Sequence, residues 1–177
     1  MTEPDTSDGI VLSAMSRAMA KSVLAGVPLE GDTWAPDYPL ADEYDAVRSF
    51  LSQEDGNPES AVFGLYVIRD AVSGVAIGGI GFFGAPDADG VVEIGYGIVP
   101  SMRRRGRATA AVRRVLRIAA EHGATVVRAD TTPQNHASIG VMRRAGMTEW
   151  RRSDELVFFE RRLTGPRGQD DHTGGAP

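Results

Sequence analysis

The chain has 177 residues, of which 42% are hydrophobic and 24% are charged; it contains no cysteine and carries a formal net charge of −5. This length predicts one domain, and the missing cysteine excludes disulfide bridges, a thiolate nucleophile and cysteine-ligated metal centres. A mean hydropathy of −0.19, no long apolar run and the acidic start MTEPDTSDG predict a soluble cytoplasmic protein with no membrane-spanning helix and no secretory leader.

The two ends of the chain are polar and lack any hydrophobic period. This composition predicts disordered segments at residues 1–8 and 164–177, on either side of a single domain at 9–163. At the start of the domain, residues 10–12 form either a short strand before a helix that ends at Gly26, or the first turn of one longer helix.

A second helix is predicted after a proline-rich loop at residues 26–39, because apolar residues repeat at helical spacing from Leu40 to Leu51. The start of this helix is acidic, and we expect its carboxylates to be exposed, where negative charge suits the helix dipole. They belong to Asp42, Glu43 and Asp45.

The remainder of the domain alternates between strands and helices. Strands are predicted at residues 61–69, 75–83, 91–99, 124–130 and 155–163, with 147–150 as a partner of the last, and helices at 105–122 and 135–145. This order indicates an α/β fold, in which a mixed α+β sheet carries helices on its faces.

The charges are sorted along the chain. Residues 1–100 contain 4 basic and 16 acidic side chains, whereas residues 101–177 contain 15 basic and 8 acidic ones. The overall acidity argues against general nucleic-acid binding, but a local basic loop can still bind a small polyanion while the acidic half attracts a cation.

The segment Gly79-Ile-Gly81-Phe-Phe-Gly84 matches the pattern G-x-G-x-x-G. A dinucleotide site requires a helix to begin within this pattern. Here Pro86 and Asp87 follow instead, which is typical of a turn. We therefore interpret these glycines as positions that let a strand bend, not as a nucleotide site.

An arginine-rich loop joins the strand that ends at Val99 to the long helix. Unpaired N–H groups at a helix start, the helix dipole and a glycine that admits a ligand to the main chain are features of an anion site. Four arginines add charge-assisted donors. A phosphate site and a solvated basic turn are both consistent with this loop, whose sequence is Pro100-Ser-Met-Arg103-Arg104-Arg105-Gly106-Arg107-Ala108-Thr109.

Three motifs, in order, resemble those of the GNAT superfamily of acyl-CoA-dependent N-acyltransferases. They are Arg103-x-x-Gly106-x-Ala108 for the Q/R-x-x-G-x-G/A signature, residues 93–100 for the fourth strand, and Asn135-x-x-Ser138 with Gly146-Met147 for the N-x-x-S helix. The likeness covers about residues 61–163 and is nearest to the ribosomal-protein N-terminal acetyltransferase branch. It implies a GNAT-like fold, with a central, mostly antiparallel sheet whose parallel strands 4 and 5 splay apart, and with flanking helices.

This resemblance also implies acetyl-CoA as a co-substrate, its pantetheine arm lying between strands 4 and 5. Main-chain groups of Tyr96, Gly97 and Ile98 would pair with the pantetheine and hold the thioester carbonyl. Asn135 and Ser138 would lie along the pantetheine, and Asn135 is also a candidate N-cap for its helix. The pyrophosphate would bind the loop residues Arg103, Arg104, Arg105, Gly106, Arg107, Ala108 and Thr109.

The reaction implied is transfer of an acetyl group to a primary amine, of a small molecule or a protein N-terminus, by direct attack in a ternary complex. The amine must lose a proton, and the candidate bases are Glu93, Asp130 and water. Many family members carry a tyrosine seven residues after the motif asparagine, to protonate the thiolate. This chain has Met142 there, which leaves Ser138 or water.

The resemblance places the acidic segment 32–45 on the substrate side, so Trp34, Tyr38 and Tyr44 are candidates to contact the acceptor, because carboxylates and aromatic rings attract cations. The alternative is a solvated helix face with packed aromatic rings. No histidine–carboxylate pair has metal-ligand spacing, so no metal is expected. The expected partners are acetyl-CoA and an amine, and neither a nucleic acid nor a membrane is expected. The sequence does not decide between a monomer and a homodimer. Because Met142 replaces the usual tyrosine, a second hypothesis is a non-catalytic GNAT-shaped sensor or scaffold that binds acyl-CoA.

Overall fold

A computed structural model of the protein describes residues 8–53 and 62–163. The terminal segments predicted to be disordered, 1–8 and 164–177, lie outside this part of the chain, apart from Asp8. Ala61, the first residue of the strand predicted at 61–69, lies outside it as well.

Strands and helices follow one another in the order that the sequence predicts. The described residues form, in chain order, β1 (Ile10–Ala14), α1 (Arg17–Ala25), α2 (Glu43–Ser52), β2 (Leu65–Asp70), β3 (Ala76–Phe82), β4 (Val91–Ile98), a short 3₁₀ turn (Pro100–Met102), α3 (Arg107–Glu121), β5 (Val126–Thr131), α4 (His136–Arg144), β6 (Thr148–Arg152) and β7 (Val157–Arg162).

The start of the domain is a strand followed by a helix, the first of the two alternatives. β1 pairs antiparallel with β2 from Ile10–Asp70 to Ala14–Tyr66. Ser16 then ends the extended segment as the N-cap of α1, its hydroxyl accepting a hydrogen bond from the Met19 N–H at 3.1 Å. Gly26 ends the helix in the left-handed conformation, with φ of 67°.

The strands of the described residues form one mixed sheet in the order β1-β2-β3-β4-β5-β7-β6. Its neighbours are antiparallel except for β4 and β5, which run parallel. This topology confirms the predicted α/β fold with a mixed, mostly antiparallel sheet in which strands 4 and 5 are parallel.

β4 and β5 diverge after a short paired stretch. Only three pairs join them, Val91 with Val126, Val92 with Val127, and Glu93 with Arg128. Beyond Glu93, β4 continues beside β3 as far as Ile98, while β5 continues beside β7 as far as Thr131. The sheet therefore splays open between these two strands, as the resemblance implied.

The two faces of the sheet carry different helices. On one face, the Tyr96 hydroxyl reaches the Ser138 carbonyl of α4. On the other face, Gly79 lies beneath the Glu43 carboxyl of α2. The β3–β4 register is continuous, without a bulge, so Glu93, Gly95 and Gly97 share the α2 face.

Candidate functional site

Main-chain groups of β4 point into the gap between the splayed strands. The Val99 N–H donates to the Ile77 carbonyl and the Glu93 carbonyl accepts from the Phe83 N–H, both at 2.9 Å, so the odd-numbered residues face β3. Because N–H and C=O groups alternate in direction along a strand, those of Tyr96 and of Ile98 face the gap. Those of Gly97 face β3, where Gly97 pairs with Gly79, so the expectation that they would pair with the pantetheine was wrong.

The helix that follows, α3, begins without a side-chain cap, because its N-cap residue is a glycine. Gly106 is the N-cap of α3, has φ of 74° and provides no side-chain hydrogen bond to the helix. The first-turn N–H groups at Arg107, Ala108 and Thr109 therefore lack helical partners and are available to an anion. Arg104 has φ of 63°, a conformation that few non-glycine residues adopt, and it helps to turn the loop towards this helix start.

A cavity of about 560 Å³, here called the cofactor cavity, connects the helix start with the gap in the sheet. Most of the residues predicted to bind acetyl-CoA line it: Tyr96, Gly97, Ile98, Arg103, Arg104, Gly106, Arg107, Ala108, Thr109, Asn135 and Ser138. Arg105 is exposed and does not line it. Arg144 of α4 also lines it, a residue that the sequence analysis missed because it lies outside the resembling motifs.

Two of the four loop arginines, Arg103 and Arg107, bind other groups of the protein through their side chains. Arg107 forms an ion pair with Asp70 at the end of β2, and both side chains are only 11% exposed. Arg103 Nε donates to the Ile98 carbonyl at 2.8 Å, which fixes the loop to the end of β4. The side chains of Arg104 and Arg105 are exposed.

The opposite wall of the cofactor cavity comes from α4. Asn135 is the N-cap of this helix, its side-chain oxygen accepting from the Ser138 N–H at 3.1 Å, as predicted for its structural role. The Tyr96 hydroxyl donates to the Ser138 carbonyl at 3.2 Å, and burial raises the pKa of Tyr96 to about 12. Met142 is 1% exposed and belongs to the hydrophobic core.

A second cavity of about 310 Å³ lies on the α2 face and adjoins the first. The two cavities share Leu40, Asp42, Tyr96 and Gly97 among their lining residues. Four glycines form the bottom of the second cavity, and we call them the glycine floor. They are Gly79, paired with Gly97, and Gly81, paired with Gly95.

The glycine floor explains the motif that resembled a dinucleotide fingerprint. β3 ends at Phe82 and a turn follows at Gly84, so no helix begins there. Each strand carries a G-x-G pair, and alternate residues of a strand face the same way. That repeated spacing is the signal that could have predicted a surface without side chains.

Glu43 is not exposed, contrary to the sequence-based expectation. Both of its carboxylate oxygens are buried without a hydrogen-bond partner among the described residues, and so is the Tyr38 hydroxyl that faces them. A Cβ atom built on Gly79 would lie 3.0 Å from Glu43 Oε1, so the carboxylate lies directly on the glycine floor. Burial raises the pKa of Glu43 to about 7. Asp42 and Asp45 are exposed as expected.

The two carboxylates proposed as bases, Glu93 and Asp130, lie close to each other where β4 and β5 diverge. Burial, followed by the neighbouring Asp130 carboxylate, raises the pKa of Glu93. Strand alternation places both on the α2 face, but neither lines the cofactor cavity or the glycine-floored cavity.

The aromatic residues expected to contact the acceptor pack mainly against protein groups. Trp34 and Tyr38 are in edge-to-face contact, with ring centroids 5.1 Å apart, and the Trp34 N–H donates to Asp32 at 3.1 Å. The Arg48 guanidinium lies over the ring of Tyr44 at 6.0 Å. None of the three lines either cavity. The side chains that lie along the glycine floor are instead those of Leu40, Leu65 and Phe83, which the sequence analysis did not identify.

Within residues 8–53 and 62–163, no three histidine, aspartate or glutamate side chains are grouped so as to hold a metal ion. In the same part of the chain, no helix combines the length and apolarity needed to cross a bilayer.

Comparison with known proteins gave one family match and many structural matches. The model of the acetyltransferase (GNAT) domain matches residues 17–148. No curated protein sequence matches.

Three solved structures illustrate the shared fold. An acetyltransferase from Agrobacterium tumefaciens is 20% identical with a TM-score of 0.59, over 87% of this chain and 91% of its own. The microcin C7 self-immunity acetyltransferase MccE, in complex with acetyl-CoA and AMP, is 13% identical with a TM-score of 0.60, over 88% and 93%. A proposed ribosomal-protein-serine acetyltransferase from Vibrio cholerae is 12% identical with a TM-score of 0.60, over 92% and 95%.

Proposed function

Because this chain belongs to the GNAT acetyltransferase family, we propose that it transfers the acetyl group of acetyl-CoA to a primary amine by direct attack in a ternary complex. Acetyl transfer is the activity of the family, whereas the amine acceptor and the direct mechanism are inferred from the site. The sequence has no cysteine to carry an acetyl group between two half-reactions, which favours direct transfer.

The observation that carries this proposal is the junction of the two cavities at Tyr96 and Gly97. An acyl donor bound in the cofactor cavity would present its thioester there, and an acceptor would approach from the glycine-floored cavity. Two cavities that meet at one strand hold two reactants against each other, which lowers the entropic cost of their reaction.

The residues around the cofactor cavity fit the chemical groups of acetyl-CoA. The uncapped start of α3 suits a diphosphate, since its first-turn N–H groups and the helix dipole both favour anions. The gap between β4 and β5 suits the pantetheine arm, whose amides need main-chain partners such as those of Tyr96. Asn135 and Ser138 border the same cavity.

Ile98 is the residue that we assign to polarise the thioester. Its N–H faces the gap, and its carbonyl is already occupied by Arg103. A main-chain donor fixed in this way stabilises the negative charge that develops on the carbonyl oxygen when the amine attacks. Protonation of the departing thiolate is left to Ser138, Tyr96 or water, because Met142 is apolar and buried.

The proposal is tested by mixing the protein with acetyl-CoA and single amines, and measuring free thiol together with the mass of the product. Amine-dependent thiol release with a product heavier by one acetyl group is the expected result. Tight binding of acetyl-CoA by calorimetry, with no release on any amine, would favour the sensor or scaffold, for which Met142 is the supporting observation. Absence of acetyl-CoA binding would contradict both.

A further inference from the structure

The glycine-floored cavity has apolar walls and acidic charge. Each floor glycine lies under one neighbouring side chain: a Cβ atom built at Gly97 would lie 2.5 Å from Leu40 Cδ1, and one built at Gly95 would lie 2.8 Å from Phe83 Cζ. Leu65 covers Gly81 in the same way. The glycines therefore let these side chains pack directly on the sheet, where they give the cavity apolar walls that the body of a ligand can contact.

Within the part of the chain that the structure describes, the charged residues that line this cavity are all acidic: Asp42, Glu43 and Asp45. Asp45 is exposed and pairs with Arg48 at 2.8 Å, so it contributes little to the interior. Glu43 lies at the floor itself. A ligand with a carboxylate would meet only like charge here, whereas a ligand with an ammonium group would meet opposite charge.

Glu43 is the least exposed of these three acidic residues. Its carboxylate lies against Gly79 and near the Asp42 carboxylate. Within the described residues its oxygens accept no hydrogen bond of standard geometry, although the Tyr38 hydroxyl and the Gly79 N–H lie near enough to lower its pKa against the larger effect of burial. A buried carboxylate without donors is costly in free energy. An ammonium group supplies both the charge and the N–H donors that would remove this cost.

We infer that Glu43 binds the ammonium group of the acceptor and takes its proton, and that the acceptor is a primary amine with an apolar body and no carboxylate. This inference rests on the proposed acetyl transfer and specifies its acceptor side. Glu43 differs from Glu93 and Asp130 in lining the cavity that adjoins Gly97, where the two reactants would meet.

The acceptor enters as an ammonium ion and gives one proton to the Glu43 carboxylate, which leaves a free amine. The nitrogen lone pair attacks the thioester carbon, the N–C bond forms and the C–S bond breaks. The second nitrogen proton goes to the thiolate, so that the products are an N-substituted acetamide and a free thiol, and Glu43 returns its proton to solvent.

The test uses the full chain with two matched probes, 2-phenylethylamine and phenylalanine, which differ by one carboxylate. We expect thiol release with 2-phenylethylamine and at least about 100-fold lower kcat/KM with phenylalanine, because the latter brings a like charge against the acidic lining. Equal use of the two amines would overturn the assignment of the acceptor class.

The residue is tested with Glu43→Gln, which keeps the shape and removes the charge. We expect kcat/KM for 2-phenylethylamine to fall by about 100-fold or more, as for loss of a general base. The pH dependence near pH 7 should disappear, while the acetyl-CoA affinity measured by calorimetry stays the same. Glu155→Gln is the matched control, since Glu155 is exposed and lies outside both cavities. A loss confined to Glu93→Gln, with Glu43→Gln fully active, would overturn the role of Glu43.

A binding measurement separates this inference from the proposed function. With free coenzyme A present, 2-phenylethylamine should bind the wild-type protein and bind Glu43→Gln at least about tenfold more weakly, the loss of one charge-assisted hydrogen bond. Equal binding to both proteins would overturn the role of Glu43 even if other amines are acetylated. Failure of every amine to release thiol, with this binding difference intact, would instead refute acetyl transfer and the proton-transfer role while supporting the ammonium site.

Discussion

Glu43 should make the protein less stable as the pH rises, and Glu43→Gln should remove that dependence. Burial raises the pKa of Glu43 from 4.5 to about 7 in the folded protein. Between these two values the folded state binds more protons than the unfolded state, so the free energy of unfolding falls with increasing pH. Below pH 4.5 the carboxyl is protonated in both states, and its effect on stability vanishes.

The size of this effect follows from the two pKa values. Each tenfold change in an acid dissociation constant corresponds to about 1.4 kcal/mol, so the rise from 4.5 to about 7 amounts to about 3 kcal/mol once the pH exceeds 7. Most of this lies between pH 5 and pH 8.5, where we expect about 2.5 kcal/mol. For a chain of this length that is a difference in Tm on the order of 5–10 °C.

The assay is urea denaturation of the wild-type protein and of Glu43→Gln at pH 5 and at pH 8.5, without acetyl-CoA. Other titrating groups affect both proteins equally, so the quantity of interest is the difference between their pH dependences. Glutamine still buries an amide, and the absolute stability of the variant is therefore not the measure. Parallel pH profiles for the two proteins would refute the burial of an ionisable Glu43 carboxyl.

Three further substitutions test the site. Gly106→Val should raise the Kd of acetyl-CoA, measured by calorimetry, by about tenfold or more, since the valine side chain crowds the anion-binding amides. Gly74→Val is the control for backbone strain: Gly74 has a similar φ of 73° in the β2–β3 turn, and its substitution should leave the Kd unchanged. Asp70→Asn should lower the free energy of unfolding in urea by about 3 kcal/mol, because the Arg107 guanidinium then loses its buried partner; a loss below about 0.5 kcal/mol would contradict the pairing. Gly97→Ala should lower kcat/KM for the amine on the order of 100-fold by misplacing the reactants, with an unchanged melting curve as the check on folding.

Features governed by neighbouring residues could be predicted from the sequence. Gly26 ends α1 and Asn135 caps α4, as predicted, whereas α3 begins at Arg107, two residues after its predicted start. Each depends on conformational preferences and hydrogen bonds within a few residues, which a single sequence contains. The divergence of β4 and β5 was also expected, but through resemblance to the GNAT superfamily, since no local pattern encodes it.

The position of Glu43 could not be predicted in the same way. Helical spacing placed it on the polar side of α2, next to Asp42 and Asp45, and a polar side is normally solvated. In the folded protein it faces a sheet that is bare at Gly79, so the helix start packs closely enough to cover the carboxylate. The position of Glu43 along its helix follows from the neighbouring residues, whereas its burial depends on Gly79 of β3, which is distant in the chain.

The sequence by itself determined the order of the elements from residue 40 onward, the glycine-containing arginine loop before a helix and the family resemblance, because each depends on contiguous residues. Only the tertiary structure decided which carboxylate lines the cavity that adjoins the cofactor cavity at Tyr96 and Gly97. The register of β3 against β4 aligns two G-x-G pairs into one floor, and the packing of α2 across that floor sets Glu43 upon it. Both are contacts between residues far apart in the chain, and no pattern within either segment specifies them.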